Sequence, residues 1–177
     1  MKMDSLLLEI GSEEIPAGYI LPALEALSSN LLQKLADARI EHGKAEIYGT
    51  PRRLTVKIEG VALKQQTVKT EVVGPPARIG YDENGNPTVA AHKFAEKVGV
   101  PVAKLATKKT ERGDYLFVKK TEKGRATRNI LKDMLPDVIL ATPFPKKMRW
   151  ADLDIEFARP IHSILALLGK DIILFEL

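Results

Sequence analysis

The chain has 177 residues, 45% of them hydrophobic, 28% charged and 6% aromatic, with no cysteine. This length and apolar fraction exclude a largely disordered chain and suit one domain or two small ones, while the missing thiols exclude disulfides, thiolate zinc sites and cysteine nucleophiles. The formal net charge of +4 is uneven: residues 101–133 carry 10 basic and 4 acidic groups, whereas 1–60 carry 7 and 9. Such a surplus would steer an anionic partner such as nucleic acid, or it simply keeps a hairpin and a helix face solvated.

In chain order, Ser5–Ile10 is an apolar run of strand length stopped by Gly11, and Ser12 to Pro16 form a polar turn. Leu24, Leu27, Leu31, Leu35 and Ala38 recur at steps of three and four, which predicts a helix with Pro22 in its first turn and Gly43 past its end. Ala45–Tyr48 and Leu54–Ile58 read as strands around Gly49–Arg53, and Val68–Val73 as another, closed by Gly74-Pro75-Pro76. Asn84-Gly85 marks a turn, and Thr88 is placed to cap a helix through Val98. A hairpin is expected from Val102–Thr107 and Tyr115–Lys120 around Glu111–Asp114, and then a helix through Ala126, Ile130, Leu131 and Met134, ended by Pro136. Ile161–Leu168 and Ile172–Leu177 flank Gly169-Lys170-Asp171 as a further hairpin, whose first half is also compatible with helix.

No stretch approaches the roughly 18 apolar residues of a spanning helix, and the first residues are too short an apolar run for a signal peptide. A cytoplasmic protein with no membrane partner is the expectation. Residues 1–177 read as one α/β (α+β) region on a mixed or mainly antiparallel sheet, with a sub-boundary near 74–87. The chain stops at Phe175-Glu176-Leu177 inside an apolar run, as a fragment cut at its C-terminal end would.

Most familiar chemistry finds no residues here. His42, His92 and His162 are far apart, so no metal site is expected. Neither phosphate-loop fingerprint and no Gly-x-Ser-x-Gly elbow is present, so neither a catalytic residue nor a cofactor-binding residue is assigned. Glu13 and Glu14 have the types of an acid–base pair, but carboxylates at a helix start more commonly serve the backbone amides.

Two segments resist that dismissal. In Tyr48-Gly49-Thr50-Pro51-Arg52-Arg53-Leu54 a proline stiffens the turn that presents two guanidiniums. In Pro143-Phe144-Pro145-Lys146-Lys147-Met148-Arg149-Trp150 prolines, three cations and the only tryptophan lie together. These types suit backbone-plus-stacking contact with single-stranded nucleic acid. They equally suit a loop anchored by Phe144 and Trp150, its cations solvated or paired with Asp152, Asp154 and Glu156, and Arg52 or Arg53 paired with Glu9, Glu13 or Glu14. Trp150 itself is expected to anchor first and stack second.

With Leu7–Pro16, Val73-Gly74-Pro75-Pro76, Phe157-Ala158-Arg159-Pro160-Ile161-His162 and Ala166-Leu167-Leu168-Gly169, these segments run in one order through essentially the whole chain. In that order the sequence resembles the beta subunit of the bacterial heterotetrameric glycyl-tRNA synthetase. The resemblance implies an amino-terminal piece of a longer chain, part of a glycine–tRNA ligase. In that family the separate alpha subunit carries the class II core with its ATP, Mg and glycine sites, in a tetramer of two alpha and two beta chains. It implies tRNA(Gly) and the alpha subunit as partners, no cofactor in this piece, and inactivity of the piece alone. Arg52, Arg53, Lys146, Lys147, Arg149 and Arg159 are the candidate tRNA contacts. By analogy at the level of fold, the B3/B4-like module of the phenylalanyl-tRNA synthetase beta chain is the expected architecture. The competing expectations are a purely structural module holding the alpha subunit and an editing hydrolase, for which the residues offer no activated water.

Overall fold

The computed structural model describes residues 2–111 and 113–177. In chain order the elements are β1 (Met3–Ser12), α1 (Ala17–Asp37), β2 (Ala45–Thr50), β3 (Arg53–Ala62) and β4 (Val68–Pro76). Next come α2 (Ala77–Gly80), α3 (Val89–Val98), β5 (Ala106–Thr110) and β6 (Gly113–Glu122). The chain closes with α4 (Thr127–Leu140), β7 (Ile161–Leu168) and β8 (Asp171–Ile172). This is an α+β chain with antiparallel sheets, as the sequence predicts. It divides into two compact units, the first running to Gln66 and resuming at Gly124–Leu177, the second being Thr67–Lys123. The expected sub-boundary at 74–87 therefore falls inside the second unit, across β4 and α2.

The first unit is a five-stranded sheet of order β2-β3-β1-β7-β8. β1 lies at its centre because every second residue, Leu6, Leu8 and Ile10, is fully buried. Register sets Leu8 opposite Val56 of β3 and Ala166 of β7, so all three point to the same face. On that face α1 contributes Leu24, Leu27, Leu31 and Leu35, and α4 contributes Leu131, Leu135 and Ile139, to one core. Burying each such leucine is worth about 1.5–3 kcal/mol.

Several boundaries differ from expectation, each for a local reason. Pro22 lies six residues into α1, past its first turn, and Pro136 lies inside α4 and does not end it. An interior proline costs about 3 kcal/mol. Beyond Pro136, Val138 and Ile139 are buried and hold the last turn in place. α1 stops well before Gly43, at Asp37, where Arg39 adopts a left-handed φ of 57°. There the Ile40 amide donates to Leu35 O and the Arg39 amide to Ala36 O, a Schellman closure, and Ile40 is buried beside Leu35. Gly99, with φ 73°, closes α3 in the same way. Val102–Lys104 forms one 3-10 turn, so the strand begins only at Ala106. The expected loop Glu111–Asp114 includes Arg112, which lies outside the described residues. Ile161–Leu168 is strand, but its partner is only Asp171–Ile172, because Ile173, Phe175 and Leu177 turn into the core.

The second unit is a three-stranded sheet of order β4-β6-β5. Leu116 and Val118 of β6 pack with Ala91, Phe94 and Ala95 of α3 and with Leu105. Gly74 is required for that packing, since a β-carbon there would stand 2.6 Å from the Phe94 ring.

The chain leaves and re-enters the first unit at one place. Gln65 accepts at Oε1 from the Arg125 amide and donates its own amide to Arg125 O, while its Nε2 donates to Ala38 O at the end of α1. Alongside, Lys64 and Ala126 form a bridge, and Thr127 donates through Oγ1 to Ala62 O.

Candidate nucleic-acid interface

Four of the segments singled out in the sequence converge in the first unit. The β2–β3 turn contracts to Pro51-Arg52, with Thr50 paired to Arg53. The Ser12 amide donates to Arg52 O and the Ile15 amide to Pro51 O, which stitches the Ser12–Ile15 loop onto that turn. The Glu13 amide donates to Pro160 O, bringing in the start of β7. Pro143–Trp150 joins through Met148 and Phe157, which exchange backbone hydrogen bonds, and Phe144 meets the Phe157 ring edge-on at 4.7 Å. Val73–Pro76 lies in the other unit, as the end of β4.

Of the candidate cations, Arg52, Arg53, Lys146 and Arg149 are exposed and Lys147 and Arg159 half-buried. Arg52 Nη2 lies 3.3 Å from Glu14 Oε1 and 3.9 Å from Glu13 Oε2, with its side chain 63% exposed. Arg53 Nε is 3.9 Å from Glu9, whose carboxylate also accepts from Thr55 Oγ1. Arg149 reaches Glu156 at 3.1 Å and Asp154 at 3.5 Å. Arg159 donates to Ala158 O, and Lys147 donates to Leu140 O at 3.5 Å. Lys146 is exposed. The carboxylate pairing allowed for in the sequence is thus present, on the surface and not in the core. Exposed pairs contribute about 0–1 kcal/mol, little enough for a phosphate oxygen to displace the carboxylate.

Glu13 also meets His162, whose Nε2 is 2.9 Å from its Oε1. The sequence did not expose this pair, because 149 residues separate the partners and neither sits in a spaced motif. His162 borders a groove of about 340 Å³ lined also by Trp150, Ile155, Ile161 and Phe175. Trp150 is half-buried, packed against the core on one side and lining this groove on the other. It is an anchor, as expected, though an incomplete one. Among the described residues no three potential ligands cluster as a metal site would need, and no helix is long and apolar enough to cross a membrane.

Comparison with known proteins gives these segments a context. The family model described as glycyl-tRNA synthetase beta subunit matches residues 6–177. A glycine–tRNA ligase beta subunit of Desulfatibacillum aliphaticivorans is 58% identical over 174 residues, covering 98% of this chain and 25% of its own length. The corresponding protein of Desulforapulum autotrophicum is 49% identical over 99% of this chain, and that of Myxococcus xanthus 45% over 95%, covering 25% and 24% of their own lengths. The chain spans about a quarter of the length of these curated relatives.

Proposed function

The chain belongs to the glycyl-tRNA synthetase beta-subunit family, and from that premise we propose that it serves glycine–tRNA ligase as a tRNA-binding and assembly segment. The similarity along 98% of the chain to a glycine–tRNA ligase beta subunit carries this reading. On it, attachment of glycine to tRNA(Gly) with ATP and Mg takes place on an alpha subunit, in the cytoplasm, within a tetramer of two alpha and two beta chains. This chain supplies contact surface and neither nucleophile nor nucleotide site.

These six candidate cations of the first unit are the proposed RNA contacts. Lys146, Lys147 and Arg149 lead, because proline stiffening lowers the entropy lost when a side chain is held for a phosphate. Arg52, Arg53 and Arg159 follow. Replacing Lys146, Lys147 and Arg149 together by Ala is expected to leave the fold intact by circular dichroism. Glycylation by the complete enzyme should weaken, and the slope of tRNA affinity against salt should fall by about one for each phosphate no longer neutralised. Unchanged affinity and slope in a folded triple variant would favour a second reading, a structural module that never touches RNA. The observation behind that reading is that Arg52, Arg53 and Arg149 each already face a carboxylate.

A further inference from the structure

The open face of the sheet in the second unit carries a combination that the proposed RNA contacts of the first unit do not use. Leu116 and Val118 point into the small core, so the alternating residues Tyr115, Phe117 and Lys119 of β6 point to the opposite face. Register brings Val73 of β4 and Ala106 of β5 beside Phe117, Lys108 beside Tyr115, and Glu71 beside Lys119. Neither aromatic belongs to the core on the helix side. Val73 next to them is 52% exposed. Lys108 Nζ stands 5.9 Å from the centre of the Phe117 ring.

The charge around these rings is biased. The second unit holds 11 Lys and Arg against 7 Asp and Glu, whereas the rest of the chain holds 16 of each, so the net +4 belongs entirely to this unit. Among the described residues of the three strands, Lys69, Lys108 and Lys119 accompany one carboxylate, Glu71, on the open face. Glu71 accepts from Lys108 at 2.6 Å and lies 3.8 Å from Lys119. The Lys108 ammonium holds its carboxyl below the usual carboxylate range, so it stays charged at neutral pH.

We propose that this face binds single-stranded RNA, with unpaired bases stacking on Phe117 and Tyr115 and phosphates meeting Lys69, Lys108 and Lys119. The apolar ground is Val73, Ala106 and two rings, which is small for a protein interface but matches one or two base faces. Three cations on three neighbouring strands match a phosphate backbone crossing the sheet. A duplex keeps its bases inside and offers the rings no face, so the preference is for single strands. Glu71 is the element that opposes binding, because it neutralises the two lysines nearest the rings.

The test measures binding of labelled oligoadenylate, and of an RNA duplex of equal length, to the full-length protein across a salt series. Phe117→Leu, which keeps an apolar strand residue but removes the ring, should weaken oligoadenylate binding by about tenfold or more and leave duplex binding unchanged. Phe117→Trp should retain binding. Glu71→Gln should tighten oligoadenylate binding several-fold, because both lysines are released. Oligoadenylate affinity unmoved by both Phe117→Leu and Glu71→Gln would overturn the proposal. So would equal loss of single-strand and duplex binding in Phe117→Leu. Should Phe117→Leu fail to fold, Glu71→Gln alone decides. Because these residues lie outside the first unit, failure here leaves the Lys146, Lys147 and Arg149 contacts standing, and their failure leaves this face standing.

Discussion

The two units solve opposite problems with similar materials. The first gathers 25 buried apolar residues into one core and balances its charges one for one, its candidate arginines each meeting a carboxylate or carbonyl. The second, Thr67–Lys123, has only six described residues in its core and four more cations than carboxylates. Cores of so short a segment rarely contribute more than about 3–5 kcal/mol. Charge in excess of available partners raises self-repulsion further. Stability is thus concentrated in the first unit and surface chemistry in the second.

The sharpest way to break this contrast is to truncate one leucine in each core. Leu8→Ala and Leu116→Ala should each cost about 2–5 kcal/mol, since both side chains are fully buried. The only tryptophan, Trp150, lies in the first unit. Denaturation followed by its fluorescence should therefore shift for Leu8→Ala and stay in place for Leu116→Ala, whose destabilisation should show as faster amide exchange across Thr67–Lys123. Coincident shifts for both variants would mean that the units unfold as one.

A smaller effect of opposite sign in the two units comes from glycine. Gly99→Ala places a side chain at φ 73° with open space around it, so strain alone should cost about 1 kcal/mol. Gly18→Ala, early in α1 and equally unobstructed, should stabilise by about 0.5 kcal/mol. Thermal melts of the pair would measure both.

The smallest effect is acid sensitivity of the second unit. Asp82 accepts from the backbone amides of Asn86 and Asn84, and the Asn86 bond foremost holds its carboxyl below the ordinary 3.8. A depressed native value gives stability that is present above the unfolded value and is lost as pH falls through the native one. Protection of the amides around Asp82–Asn86, relative to their intrinsic exchange rates, should therefore fall below about pH 4, near the ordinary value for aspartate. Asp82→Asn should flatten that dependence.

The sequence made the first unit easy to read, because Leu24 to Leu35 repeat at helical steps and Leu54, Val56 and Ile58 alternate with polar residues. Its prolines misled: burial of Val138 and Ile139 beyond Pro136 outweighs a local rule about helix ends. Arg39 in a left-handed cap was illegible, since glycine or asparagine is the usual signal. The site segments were recognisable as segments, but their convergence was not, because it rests on single backbone hydrogen bonds such as Glu13 to Pro160. The open face of the second unit was hidden for another reason. In Tyr115-Leu116-Phe117-Val118 both faces are apolar, so no alternation separates the inward pair from the outward one.

The Gln65–Arg125 stitch means that the first unit is closed before the inserted residues are considered. Lys64 to Ala126 forms a stem, and everything between Thr67 and Lys123 is, for that stem, a loop. Loop-closure entropy rises only logarithmically, by about 0.6 kcal/mol for each doubling of length. A host built in this way is nearly indifferent to the size of its cargo. Excision of the inserted unit, its exchange for another, or its expansion would leave the five-stranded sheet with the same closing bonds. A basic, weakly cored module can therefore be refitted without renegotiating the scaffold that carries it.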